Sequence, residues 1–222
     1  MDKLQTCAMA FRKLLDYEYR CIVGKKGKTQ EFVLAFRKQD FHHLAGLHKL
    51  EDIEEVRGNR ERIFKDIVDG RITDETVDKS VYLHAMRNRI FYLTELENFM
   101  DSNNIIFTYD KMKNPMSKIE AAFLLENDIY ATTVYFFIDQ DTDSHKMIGR
   151  SFFAKEKMDY TINQSRMTLL FKEKINTITK KSIVQLDKLT PIKEKLSEAK
   201  QKLAQRVDIN KPTRAKTNEF ER

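Results

Sequence analysis

The sequence predicts an α+β fold, and three observations carry that reading. Apolar residues recur at helical spacing over roughly residues 2–16 and again through residues 51–100. From about residue 105 the pattern changes to alternation and dense apolar runs broken by short polar turns, as in antiparallel strands. Near the N-terminus, two runs rich in β-branched and aromatic residues flank a short link with two glycines, which reads as a β-hairpin. The predicted order is an N-terminal helix and β-hairpin, a helical middle, a C-terminal antiparallel sheet, and a basic C-terminal helix.

The first helix rests on Leu4, Cys7, Ala8, Phe11, Leu14 and Leu15, which form one stripe. YEYRCIVG and TQEFVLAFR, joined through Lys25-Lys26-Gly27-Lys28, supply the hairpin. Asp40 is the expected N-cap of the next helix, since its carboxylate can accept from the free N–H groups of a first turn. Gly58 and Gly70 mark breaks in the helical middle, and Thr73 with Thr76, or Asp74 with Val77, offers a start signal. Leu83, Met86, Ile90, Leu93, Leu96 and Met100 predict one amphipathic helix of about 20 residues. IIFTYD, AAFLLENDI, TTVYFFIDQ and MIGRSFF read as strands, with turns expected at Asn127-Asp128 and Asp139-Gln140-Asp141. SRMTLLFKEKIN fits either strand or helix. PIKEKLSEAKQKLAQRV opens with Pro191 and reads as a helix with a thin apolar face. The final 15 or so residues have the composition of a disordered end. These patterns divide the chain into a domain over residues 1–180 and a basic helical tail over 181–222.

Composition narrows the function classes. At 222 residues and 41% hydrophobic content the chain can bury one sizeable core. It has no run of about 18–20 apolar residues and no apolar leader at its start, so a cytoplasmic protein is expected, with no membrane association. Cys7 and Cys21 lie in apolar surroundings and form no C-x-x-C pair, which points to buried reduced thiols. The net charge is +6, but from Lys180 onward there are 12 Lys and Arg against 6 Asp and Glu. The remainder is therefore balanced, and RNA binding by the body must rest on particular residues rather than on bulk charge.

The densest chemistry is DFHHLAGLHKL, residues 40–50, which holds three of the five histidines. On one helix, His43 and His48 would lie about 500° apart and His42 and His48 about 600° apart, so neither pair shares a face. With no local cysteine or carboxylate to complete a set, neither a metal site nor a cofactor is expected. Histidine titrates near neutral pH and suits proton transfer, whereas histidines at a helix start also cap or pack. RNA cleavage through the 2′-hydroxyl needs a base, an acid, and cations on the phosphate. His43 near Lys49, with Arg150 and Ser151 from a strand, supplies those types. Tyr17, Tyr19, Tyr135 and Tyr160 alternate with apolar neighbours and are expected mainly in the core.

The frame F-x-H-L-x-G-L after a hairpin (Phe41, His43, Leu44, Gly46, Leu47), followed by Ser151-Phe152-Phe153, Tyr160 and MTLLF, with Arg89-Ile90 on the helix between, resembles a known family. That family is phage-type group four of the barnase/EndoU/colicin/RelE-like (BECR-fold) nuclease superfamily, and the resemblance covers roughly residues 1–180. It implies a metal-independent RNase fold with N-terminal helices packed on an antiparallel sheet. It places the site on the sheet face, with a histidine opposite polar strand residues. By position, His43 would be the general acid or base and Ser151 its strand partner, with Gly46 serving close helix packing. Arg150 and Lys49 are added by chemical type and not by the family pattern. His42 and His48 are expected to lie on the surface or to pack.

Three functions fit. The first is an endoribonuclease of phage or mobile-element origin that attacks through the 2′-oxygen and leaves a cyclic phosphate, a toxin in phage–host conflict. The second is a non-catalytic binding protein on the same fold that regulates or inhibits a host system. The third is an interaction protein that oligomerises through its C-terminal helix. RNA, and an antitoxin or host protein, are the partners these readings imply.

Overall fold

The computed structural model describes residues 2–198. It separates into two compact units, Met1–Leu186 and Asp187–Arg222. In the second unit residues 189–198 are helical, and the Asp187 carboxylate caps them by accepting from the backbone N–H groups of Leu189 and Thr190 at 2.8 and 3.0 Å. The expectations for Ala199, Leu203 and the final residues lie outside the described residues.

The first unit is mixed α and β. Its strands are β1 (Tyr17–Lys25), β2 (Lys28–Ala35), β3 (Ile105–Thr108), β4 (Phe123–Ile129), β5 (Thr132–Gln140), β6 (Met147–Ala154), β7 (Ser165–Asn176) and β8 (Ser182–Asp187). They form one sheet in the order β1-β2-β6-β5-β4-β3-β7-β8, and β1 also pairs with β7. Seven strands therefore close into a barrel. The sequence predicts a sheet segregated at the C-terminal end, and the structure corrects this. The N-terminal hairpin is part of the wall, because β7 runs antiparallel to β1 from Tyr17↔Asn176 to Gly24↔Thr168. Closure removes the free edges that a six-strand meander would expose. Among the described strands, β2 and β6 alone are parallel, meeting at Leu34↔Met147.

Turn chemistry explains the hairpins. Lys26 and Gly27 both have positive φ, 48° and 78°, as a two-residue type I′ turn requires. The β4–β5 turn has the same form at Tyr130 and Ala131, with φ of 50° and 58°. Asn127 and Asp128 are not that turn but the polar end of β4. Similarly, Asp139 and Gln140 complete β5, so the turn begins only at Asp141. SRMTLLFKEKIN is β7, and SIVQLD forms β8, a strand that its short, exposed apolar content concealed.

Helix α1 (Lys3–Leu14) buries Leu4, Cys7, Ala8, Phe11 and Leu14, the stripe its spacing predicts. Both cysteines are free and buried, and burial pushes their thiols up to about 12. The helical middle contains α2 (Asp40–Leu44), α3 (Arg60–Val68), α4 (Asp74–Val77), α5 (His84–Leu93) and α6 (Leu96–Asp101). Thr73 and Thr76 form a capping box at α4. The single 20-residue helix is in fact two, α5 and α6. Thr94 turns its hydroxyl back onto the Ile90 carbonyl at 3.0 Å, and Glu95 leaves helical geometry. At the far end of α6, Asp101 accepts from Tyr19 Oη at 2.6 Å and from Lys174 Nζ at 2.8 Å, tying the helix to the β1–β7 seam.

Asp40 does not cap α2. Its carboxylate instead takes the backbone N–H and guanidinium of Arg37, three residues back. Aromatic packing anchors α2. The Phe41 ring lies 5.5 Å from Phe11 and 5.2 Å from Phe64. Leu44 seats over Gly149 of β6, where an added Cβ would stand 3.1 Å from both Leu44 methyls and 2.9 Å from Phe136 Cε2. Close packing of α2 on the sheet therefore depends on Gly149 and not on Gly46.

Gly149→Val should force Leu44 and Phe136 apart and cost about 1–3 kcal/mol, read as a lower midpoint in urea unfolding. An unchanged midpoint would show that α2 is not seated on β6 in this way.

Candidate active site

The helix that begins at Asp40 ends after one turn, and Gly46 sets the direction in which the chain leaves it. Its φ of 82° is left-handed, a conformation that costs a residue with a Cβ about 1–2 kcal/mol. Its N–H donates to the His43 carbonyl, and its own carbonyl accepts from Lys49 at 3.0 Å, starting a 3₁₀ turn over Leu47–Lys49. The two histidines five positions apart are thus brought together, with His43 Nδ1 and His48 Nδ1 3.2 Å apart and ring centroids 4.4 Å apart. The helical-rotation argument fails here because the segment is not one helix. His48 lies at the surface, as expected from the sequence, but its inner side meets His43. His42 does pack: it is buried, with Nε2 2.8 Å from the Val56 carbonyl.

His43 and His48 line a cleft of about 1250 Å³, shared with α5 and β6. Lys49, Arg150 and Ser151 line it too, so the structure brings together the four residues that sequence reasoning singled out. Strict strand alternation would turn Arg150 and Ser151 to opposite faces. A bulge prevents that, since Phe137 pairs with Ser151 and Ile138 with Gly149, leaving Arg150 as the extra residue. Arg150 is exposed at the rim, 3.5 Å from Asp139.

Ser151 is buried, and its Oγ accepts from Arg89 Nη1 at 3.3 Å. The Arg89 guanidinium also lies 5.1 Å over the Phe153 ring, which stacks in turn on Phe137 at 5.7 Å. Arg89 is half-buried, and among the described residues no carboxylate lies in salt-bridge range of it; Glu156 on the same cleft acts on it only at longer range. Sequence reasoning gave Arg89 no role, although its place beside Ile90 on the flank of an apolar stripe was a usable signal. The signal for His48 was Gly46, the residue most able to turn the chain between the two histidines.

The charge around the cleft is unbalanced although residues 1–179 are neutral. Arg37, Lys49, Arg60, Arg89, Lys118, Arg150, Lys155 and Lys157 line it against Asp40, Glu120, Asp139 and Glu156, eight cations to four acids. The effect reaches the titrating groups. Burial, then Arg60, His42, Arg150 and Arg89, lowers the pKa of His43. His48 keeps part of its ring in solvent. Desolvation of its inner side, then His43, Arg89 and Lys49, draws it down to about 4. Burial and the Arg89 charge lower Lys49 as well.

Lowered in pKa from an ordinary value that is already below neutral, both imidazoles are uncharged at neutral pH. A hydrogen bond across the Nδ1–Nδ1 contact takes its proton from one ring. The ring that donates it keeps a basic Nε2. The ring that accepts it carries an Nε2–H. The pair thus offers a proton acceptor and a proton donor together. Among the described residues no group of three or more His, Cys, Asp or Glu could hold a metal ion, and no helix is long and apolar enough to cross a membrane.

The lowered histidines set a pH dependence. Their unfolded pKa is about 6.5, so as pH falls the unfolded chain takes up protons before the folded one does. The stability they contribute is present above about pH 6.5 and is lost toward pH 4. The urea midpoint should fall between about pH 7 and pH 5, and His48→Gln should flatten that slope. A midpoint that rises over this interval, or a slope that His48→Gln leaves unchanged, would contradict the assignment.

The family described as phage-Barnase-EndoU-ColicinE5/D-RelE like nuclease4 (PBECR4) matches residues 3–189, a span that includes His43, His48, Lys49, Arg89, Arg150 and Ser151. No curated protein and no solved structure gives a match. The chain belongs to the PBECR4 family of phage-type, barnase/EndoU/colicin/RelE-like nucleases.

Proposed function

We propose that this chain is an endoribonuclease that cleaves RNA by attack of the 2′-oxygen on the adjacent phosphorus. The P–O2′ bond forms and the P–O5′ bond breaks, leaving a 2′,3′-cyclic phosphate and a 5′-hydroxyl. The basic Nε2 of the His43–His48 pair takes the 2′-hydroxyl proton, and the Nε2–H of the other ring gives one to the departing 5′-oxygen. A proton then crosses the 3.2 Å Nδ1–Nδ1 contact, which leaves both rings neutral and exchanges their roles as acid and base. Arg89 meets the charge that develops on the phosphate, with Lys49 beside it and Arg150 at the rim. Ser151 positions Arg89.

The observation that carries this reading is Arg89, a half-buried guanidinium oriented by Ser151 and Phe153, with no carboxylate in salt-bridge range among the described residues. A structural arginine at this depth is ordinarily paired, because an uncompensated buried charge is costly. A phosphate supplies the missing partner, and the planar fork suits it. The step as written calls for no metal ion or cofactor.

A second reading, a non-catalytic RNA-binding protein, has one observation in its favour. The depressed histidines leave no charged imidazole at neutral pH to act as a strong acid. The family's phage-type nucleases suggest a role in phage–host conflict, with toxicity when the chain is expressed alone and a neutralising protein partner.

His43→Ala should lower the cleavage rate about 10²–10⁴-fold, and Arg89→Ala about 10²–10³-fold, each measured on a labelled RNA. Both variants should relieve growth arrest on expression. RNA bound but left intact by the wild-type chain would favour the second reading. A His43→Ala variant as fast as wild type would remove His43 from the chemistry.

A further inference from the structure

The cleft wall continues outward as a row of aromatic rings. On α5, His84, Asn88 and Tyr92 recur every fourth residue and line the cleft. One position before Tyr92, Phe91 turns to solvent and is 56% exposed. Its ring lies 5.0 Å from Tyr92 and 5.7 Å from Tyr130, which is 67% exposed. Tyr130 sits in the type I′ turn between β4 and β5 at a φ of 50°, a position where glycine or asparagine would be unstrained. Its hydroxyl donates to Glu95 at 3.0 Å and fixes the ring. Phe91 and Tyr130 stand outside the core, against which Tyr92 packs with part of its surface. Of the tyrosines expected mainly in the core, Tyr19 and Tyr135 are there, and a different set of rings stands outside.

A cationic cleft that opens onto exposed ring faces has two kinds of complement. The cations take phosphates, whose attraction is independent of sequence. The rings take flat apolar faces, and in nucleic acids only unpaired bases present them, because a duplex buries base faces in its own stack. We propose that Phe91, Tyr92 and Tyr130 form a base-stacking platform that makes the cleft select single-stranded RNA over duplex. This rests on the reading of the cleft as an RNA site. The platform's own contribution is the preference for single strands.

Binding can be read without cleavage on a 2′-O-methyl RNA, whose blocked 2′-oxygen cannot attack. A labelled single strand of about 12 nucleotides, and the same strand in a duplex, would be titrated with the full chain by fluorescence anisotropy. The wild type should prefer the single strand. Phe91→Ala and Tyr130→Ala, both changes at exposed positions, should each weaken single-strand binding by roughly five-fold or more and leave duplex binding unchanged. The salt dependence should also stay the same, since no phosphate contact is lost. The chain has no tryptophan, so Phe91→Trp gives a single tryptophan, excited selectively over the tyrosines, that should bind like wild type and be quenched by the single strand. Alanine variants that bind like wild type, or that lose single strand and duplex equally, would overturn the platform while leaving the cleft intact. The rings would then be a protein-docking surface. A wild-type chain that binds neither probe would overturn both the platform and the RNA reading on which it rests.

Discussion

The candidate site depends on how closely α2 lies against the barrel. Leu44 fills the space over Gly149, where even one Cβ would collide with Leu44 and Phe136. Phe41 anchors the same turn among Phe11 and Phe64. With two of its residues held inward, the turn can present only its remaining face to the cleft, and His43 is on that face. Gly46 then returns the chain so that His48 arrives beside it. The contact between the two histidines is not what places them. His43 is held by the packing of Leu44 one residue away, and His48 by the Gly46 turn and the buried Leu47, which is a more rigid support than their mutual contact.

The charge distribution obeys a related economy. A protein that is neutral over residues 1–179 concentrates unmatched cations in one cleft. Arg37 is neutralised by Asp40 and Asp141, and Lys155 by Asp159, so structural and unmatched cations lie within the same wall. At the β1–β7 seam a buried charge is satisfied, since Lys174 meets both Glu97 and Asp101. Beside it Lys172 is buried onto the Ser102 carbonyl, whereas Arg89, half-buried with no carboxylate in salt-bridge range among the described residues, faces the cleft.

Much of the fold was legible in the sequence because one-sided burial imposes periodicity. The α1 stripe, both β1–β2 partners, and the strands β4 to β6 all show it. Closure of the barrel was not legible. The β1–β7 pairing joins residues about 150 positions apart, and no local pattern encodes a partner at that distance. The break between α5 and α6 was hidden because Thr94 interrupts the helix without interrupting its apolar stripe. In the site, His43, Lys49, Arg150 and Ser151 were identified by chemical type and by a short family frame. Arg150 and Ser151 share the cleft only because a bulge breaks alternation, and a bulge leaves no mark in a single sequence. His48 was set aside because it falls outside the family frame, and the rotation argument, which holds for a helix and fails across a left-handed glycine, concealed its contact with His43.

The most direct test of the proposed chemistry is at the ends of the cleaved strand. A defined RNA oligonucleotide incubated with the purified full-length chain, its fragments weighed by mass spectrometry, reports which bond broke and what took its place. The expected result is a 2′,3′-cyclic phosphate on the upstream fragment, a 5′-hydroxyl on the downstream fragment, and no cut next to a nucleotide lacking its 2′-hydroxyl. Fragments ending in a 3′-hydroxyl and a 5′-phosphate, or cleavage that persists at the 2′-deoxy position, would contradict it.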